Sequence, residues 1–336
     1  MPIGRQTYRF LRKVFERMPL TVIRFVESIK EKSLKRLYYS GSTSGFAVDT
    51  AEKTVIVMVD GRVLHGGLSD CLRGMVSAFK MSCDIGCRFK IHFNNPFRLC
   101  EYLEPNEIDW TIDENEISYN IDSVPIFIRE YIPPRTEKRC RQFKSAIMHR
   151  SAVQYHVYTN IDCVRDDKFS ETFNRLFKPS KLLEKNIIGH LHRLDGAYIS
   201  VTFRFQQLLG DFVEGDFKTL DTDSREKLIE ECVSEIENLY RNDVSPGKKI
   251  LVTSDSVSFL QKADELPYVY VVPGKVVHIA YNHEVAEASY MKSFLDLFLI
   301  SKAKKVYSVK IGDMYDSGFP RFAARIGDRP FRLISR

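Results

Sequence analysis

Four short stretches put residues able to act on a charged ligand where an apolar run gives way to a turn. The first, His65-Gly66-Gly67-Leu68-Ser69-Asp70, follows Thr54–Val59 (TVIVMV). Paired glycines ahead of a helix let the backbone approach a ligand, and the helix start then offers N–H groups to an anion. Gly66, Gly67 and Asp70 are candidate ligand contacts, with Asp70 as a plain helix cap the alternative. The wording is neither G-x-G-x-x-G nor a Walker loop. The second stretch is Val201-Thr202-Phe203-Arg204-Phe205. An arginine at the carboxyl end of a parallel strand points into the crevice where such sheets bind ligands, and its guanidinium forks onto two phosphate oxygens. The acids that follow include Asp211, Glu214 and Asp216; Asp211 or Glu214 is placed to serve as a general base. The alternative is a surface arginine paired with those acids.

The third stretch, Val252-Thr253-Ser254-Asp255-Ser256, offers a carboxylate that accepts hydrogen bonds from a base or ribose, or else a helix cap at Asp255 or Ser256. The fourth runs from Asp296 through Ser301 to Ser317-Gly318-Phe319, where a hydroxyl and N–H groups at a helix start suit phosphate, again with simple capping as the alternative.

The elements that must position these residues are legible in the periodicity. Thr54–Val59 is a continuous β-branched run, as in a buried parallel strand. A helix over 70–81 and a strand over 90–93 complete a βαβ unit. Residues 117–128 read as extended, with a polar, proline-containing loop to Glu137; 152–159 alternates like a strand, and 173–183 reads as a helix. A second cycle follows: strands over 197–203, 250–253, 268–272 and 305–309, with helices over 221–241, 256–263, 286–303 and 319–326. The amphipathic face of 221–241 carries Leu228, Ile229, Cys232, Ile236 and Leu239. The pattern predicts an α/β protein of two Rossmann-like domains, 41–190 and 191–336, behind a helical segment over 1–40 that breaks at Pro19.

Composition sets the outer bounds. With 336 residues, 44% hydrophobic and 28% charged, the chain is long enough for two cores and is neither disordered nor fibrous. No run reaches the roughly 18 apolar residues of a spanning helix. Seven scattered cysteines predict reduced thiols and a cytoplasmic location; Cys83 and Cys87 have no second Cys/His pair to complete a zinc site. Residues 1–40 carry ten Lys/Arg against three Glu, a net +7, whereas the whole chain is +6. The basic excess is therefore local. It suits peripheral contact with the inner face of an anionic membrane, or a solvated helical face packed on the domain. No RNA- or DNA-binding motif accompanies it, so nucleic acid is not an expected partner.

Taken in order, these stretches resemble the nodulation-type bacterial α-1,6-fucosyltransferases of the GT-B fucosyltransferase superfamily. The resemblance is carried by Gly67–Leu72, Ile199–Arg204, Thr253–Ser256, Pro273-Gly274-Lys275, Asp296–Ala303 and Ser317–Ala323. Residues 100–195 do not share in it. Thr202 stands where the family has His, and Phe205 where it has Arg or His. The resemblance implies two Rossmann-like domains across a cleft and an inverting, metal-free transfer from GDP-fucose to an oligosaccharide acceptor in surface or secreted glycan synthesis, with no cofactor. Arg204, Ser317 and Lys275 would meet the diphosphate with Gly318 and Phe319, Asp296 would belong to the same nucleotide site, Asp255 would hold the guanosine, and Asp211 or Glu214 would take the acceptor proton. Another nucleotide sugar, or nucleotide or glycan binding without transfer, stays open, as does oligomeric state.

Overall fold

The structure, a computed structural model, describes residues 18–38, 52–121, 124–132, 136–211, 218–245, 247–274, 276 and 290–336. They form two compact units that part between Lys178 and Pro179.

In the N-terminal unit, helix α1 (Leu20–Tyr38) buries Ile23, Glu27, Leu34 and Tyr38. Next come β1 (Thr54–Val59), α2 (Leu68–Asp84), β2 (Arg88–Phe93), β3 (Leu103–Pro105), β4 (Ile126–Arg129), α3 (Thr136–Met148), β5 (Gln154–Thr159), α4 (Asp166–Leu176) and β6 (Phe177–Pro179). The main sheet has the order β2-β1-β5-β4, every pair parallel. All six residues of β1 are buried, as a central parallel strand requires. A Cβ on Gly74 of α2 would lie 2.0 Å from the Thr159 carbonyl oxygen, so only glycine lets this helix pack so closely on the end of β5.

The second unit begins with α5 (Lys181–Leu194) and continues through β7 (Ile199–Phe203), α6 (Thr222–Asp243), β8 (Ile250–Ser254), α7 (Val257–Asp264), β9 (Val269–Val271), α8 (Met291–Lys302), β10 (Val306–Lys310), α9 (Gly318–Gly327) and β11 (Phe331–Ser335). Its sheet order is β11-β10-β7-β8-β9, again all parallel. The chain winds outward from β7 in one direction and from β10 in the other, so the topological switch point lies between these two strands. Ligands of doubly wound sheets bind outside the carboxyl ends of strands at such a point. Val201, Phe203, Phe205, Cys232, Ile236, Val252 and Phe259 form the core behind it.

Several expectations are corrected. Residues 173–183 are not one helix: β6 with Pro179 interrupts the pattern, and separate helices end at Leu176 and start at Lys181. Among the described residues of 117–128, which the sequence reads as extended, Ile126–Ile128 are paired in a strand. The expected domain limit at 190/191 falls inside α5. The cysteines are not all reduced: Cys140 on α3 and Cys163 beyond β5 form a disulfide, with Cα atoms 5.9 Å apart. Sequence separation concealed that pair, because only the packing of α3 beside the end of β5 brings the thiols together. The basic helix expected over 20–39 is present as α1, whereas residues 1–17 and the GSTSG stretch at 41–45 lie outside the described residues.

Candidate functional site

Arg204 directly follows β7 at the switch point, and the strand register aligns Phe203 with Val309 of β10 and Ser254 of β8. The residues just beyond these strands therefore share one edge of the sheet. Asp255 organises that edge. Its Oδ1 accepts the Phe205 N–H at 2.9 Å, its Oδ2 accepts the Gln206 N–H at 2.7 Å, and Arg204 reaches the same Oδ2 at 3.1 Å. The Asp255 side chain is 1% exposed and that of Arg204 15%. Burial pushes the Asp255 carboxyl up; the Arg204 charge and the two N–H groups pull against it. Gln206 has a φ of +56°, a left-handed conformation uncommon for a non-glycine residue, and Asp255 holds its N–H. Phe205 packs against Phe203 and Phe259 with no exposed surface, so at the position where the resembling family has Arg or His this chain has a core side chain.

The loop after β10 closes on the same strand end, with the Tyr315 N–H donating to the Arg204 carbonyl at 3.0 Å. Ser317 then caps α9, its hydroxyl accepting the Phe319 N–H. Arg204, Asp255, Ser317, Gly318 and Phe319 thus belong to the carboxyl edge of three neighbouring strands. Thr202, the other departure from the family pattern, bonds across the sheet to the Thr253 hydroxyl at 2.8 Å.

Asp211 is drawn to the start of α7. Its Oδ2 accepts from the Ser256 hydroxyl at 2.8 Å and from the N–H and hydroxyl of Ser258 at 2.8 and 2.9 Å. Its Oδ1 is buried and has no partner among the described residues. Ser256 is the cap of α7, so at this strand end capping and site-building fall to adjacent residues. Asp296 lies inside α8, paired with Lys292 at 3.0 Å; each side chain is 4% exposed, and burial pushes the Asp296 carboxyl up. Lys292, which the periodicity gave no reason to single out, lies beside the Gly274 turn after β9. Glu214 and Lys275 lie outside the described residues.

Gly66, Gly67 and Asp70 belong to the N-terminal unit. Gly67, not Asp70, is the cap of α2, and Asp70 pairs with Arg73 at 2.7 Å. A polar chain that the sequence did not announce runs from the end of β1: Asp60 accepts from Tyr158, whose hydroxyl bonds Tyr38, which bonds His156 Nδ1. Burial pushes the His156 imidazole down to about 3. Among the described residues no cluster of His, Cys, Asp or Glu is placed to hold a metal ion, and no helix is long and apolar enough to cross a membrane.

No family model matches the chain, and no curated protein matches it by sequence. Solved structures do. The fucosyltransferase NodZ from Bradyrhizobium matches at a TM-score of 0.51 and 18% identity over 82% of this chain and 92% of its own. NodZ α-1,6-fucosyltransferase co-crystallised with GDP matches at 0.51 and 17% over the same shares. FUT1 of Arabidopsis thaliana in complex with GDP matches at 0.54 and 11%, over 91% of this chain and 75% of its own. The chain has the fold of the GT-B fucosyltransferases.

Proposed function

We propose that this chain is an inverting glycosyltransferase that moves fucose from GDP-fucose to a glycan hydroxyl. The observation that supports the reading most directly is Arg204, clamped by Asp255 at the switch point of a fold shared with proteins solved in complex with GDP. As the bond from the anomeric carbon to the diphosphate breaks, negative charge grows on the leaving oxygen. A guanidinium already fixed in place stabilises that charge without reorganisation. Ser317 and the start of α9, held beside Arg204 by the Tyr315 contact, supply further dipoles to the diphosphate. Asp255, with both oxygens engaged by Arg204 and two N–H groups, acts by positioning the arginine; the guanosine contact is left to neighbouring groups. Asp211 Oδ1, which has no partner among the described residues, takes the acceptor proton, or Glu214 does.

The engagement of Asp211 Oδ2 as a helix cap favours one second reading, a nucleotide-binding chain without transfer. Thermal-shift measurements with GDP, UDP and CDP, followed by assay of labelled GDP-fucose against glycan acceptors, separate the two. A shift by GDP with transfer supports the first reading and a shift without transfer the second. Stabilisation by UDP or CDP in place of GDP would overturn the donor assignment.

The Cys140–Cys163 bond supports an oxidising compartment over the reducing cytoplasm. Peripheral contact with an anionic membrane through the basic segment is supported by Val22, Phe25, Ile29 and Leu37, exposed on α1 beside Lys30, Lys32, Lys35 and Arg36. Co-sedimentation with anionic vesicles tests that contact; a full-length chain left in the supernatant at low salt ends the proposal.

A further inference from the structure

β4 is an edge strand of the N-terminal sheet, paired on one side with β5. Residues two apart in a strand turn their backbone groups to the same side. The His156 N–H donates to the Pro125 carbonyl at 3.0 Å, so Pro125, Phe127 and Arg129 form the inward set. Ile126, Ile128 and Glu130, the last just beyond the strand, form the outward set. An edge with outward N–H and carbonyl groups is a template for pairing with another chain.

On this edge α1 supplies side chains where a neighbouring strand would supply backbone. The Ile128 N–H donates to Glu31 Oε1 at 3.0 Å, and the Glu130 N–H donates to Glu27 Oε1 at 3.2 Å. The Ile128 carbonyl accepts from Arg129 at 2.7 Å, and the same guanidinium nitrogen donates to Glu31 Oε1 at 2.6 Å. The two spacings fit. Four residues of helix rise about 6 Å, and two residues of strand about 6.6 Å. Glu27 meets the later β4-edge residue and Glu31 the earlier, so α1 runs opposite to β4. Its two carboxylates therefore stand on successive rungs, as carbonyls of an antiparallel neighbour would.

A carboxylate is costly to bury unless it is paired. The Glu27 side chain is 0% exposed and that of Glu31 13%. Glu31 has Arg129; Glu27 has Arg139 of α3 and, at 2.6 Å, Arg24 of its own helix.

We propose that α1 is an edge guard, whose Glu27 and Glu31 hold the rungs of β4 that a second copy of this chain would otherwise take. The edge is self-complementary. In an antiparallel pair two facing residues exchange both of their N–H···O bonds, so Ile128 pairs with the same residue of a second copy about a two-fold axis. The N–H and carbonyl which that exchange needs are the ones held by Glu31 and Arg129. The guard depends neither on fucosyl transfer nor on the membrane contact, which concerns the exposed face of α1.

The test is the solution mass of the full-length chain by light scattering. Glu31→Met with Arg129→Met frees both backbone groups of Ile128 and leaves Glu27 its two arginines. Exchanging an ion pair for apolar residues of similar volume is often neutral for stability. The expected result is a mass roughly twice that of the wild type at the same concentration. Adding Ile128→Pro removes the outward N–H, which an edge strand tolerates, and is expected to restore the wild-type mass. A folded double variant of wild-type mass would overturn the proposal, as would association that Ile128→Pro leaves intact. If circular dichroism shows the double variant unfolded, amide exchange in the wild type decides. The Ile128 and Glu130 amides are expected to exchange roughly a hundredfold or more slowly than in an unfolded chain, and exchange at the unfolded rate means that α1 guards nothing.

Discussion

Asp255 and Arg204 form one buried unit: Asp255 Oδ2 pairs with the Arg204 guanidinium at 3.1 Å, and the same carboxylate holds the two N–H groups that follow Arg204 in the chain. The carboxylate therefore fixes both the guanidinium and the turn that carries it. Asp255→Asn keeps the shape, removes the charge and replaces an acceptor oxygen with an NH2 group facing N–H donors. We expect kcat to fall by more than the donor KM rises, because a displaced Arg204 is lost mainly to the transition state. Steady-state kinetics at varied donor decides this: a raised donor KM with unchanged kcat would instead make Asp255 a nucleoside contact.

Arg204→Ala is expected to lower transfer roughly a hundredfold or more by removing one preorganised charge from the leaving group. Arg204→Lys is expected to recover little, since an ammonium does not fork onto two oxygens. An alanine variant that turns over at a near-normal rate and is normally folded by circular dichroism would refute the assignment.

His156 makes a pH prediction with a definite sign. Its imidazole is pushed from 6.5 down to about 3 in the fold, so the folded chain binds the proton less readily than the unfolded chain. The stability this neutral histidine brings is complete above pH 6.5 and is lost as pH falls from there towards 3, at up to about 1.4 kcal/mol per pH unit. Urea unfolding of the wild type and of His156→Gln at pH 7, 6, 5 and 4 isolates the contribution. The wild-type curve should fall more steeply, and parallel curves would mean that the imidazole titrates normally.

The Cys140–Cys163 bond closes a loop of sequence separation 23. Replacing both cysteines by alanine is expected to cost about 3 kcal/mol, mainly through the freedom regained by the unfolded chain. Denaturant midpoints with and without reductant measure it; a midpoint insensitive to both changes would show that the bond does not constrain the unfolded state.

The sequence alone determined the alternation of strands and helices, because a buried parallel strand must be continuously apolar, as in Thr54–Val59, and a helix packed on it must repeat its apolar residues every three to four positions, as in 222–243. It also located the residues that follow β7 and β8, since composition changes abruptly where a strand leaves the core, as at Arg204 and Asp255, and the helix start at Ser317. What it left undecided was what each of these touches. Whether Asp255 or Ser256 caps α7, and whether Asp211 joins that cap, depends on side chains 45 to 47 residues apart meeting at one helix start. The pairing of Lys292 with Asp296 was present in the spacing, four apart on one helix, but its burial was not. The Cys140–Cys163 bond and the Glu27–Arg139 pair were invisible for the same reason. A contact between distant positions has no local periodicity, and only the packing of α1, α3 and the strand ends against one another decides which charges and thiols share a site.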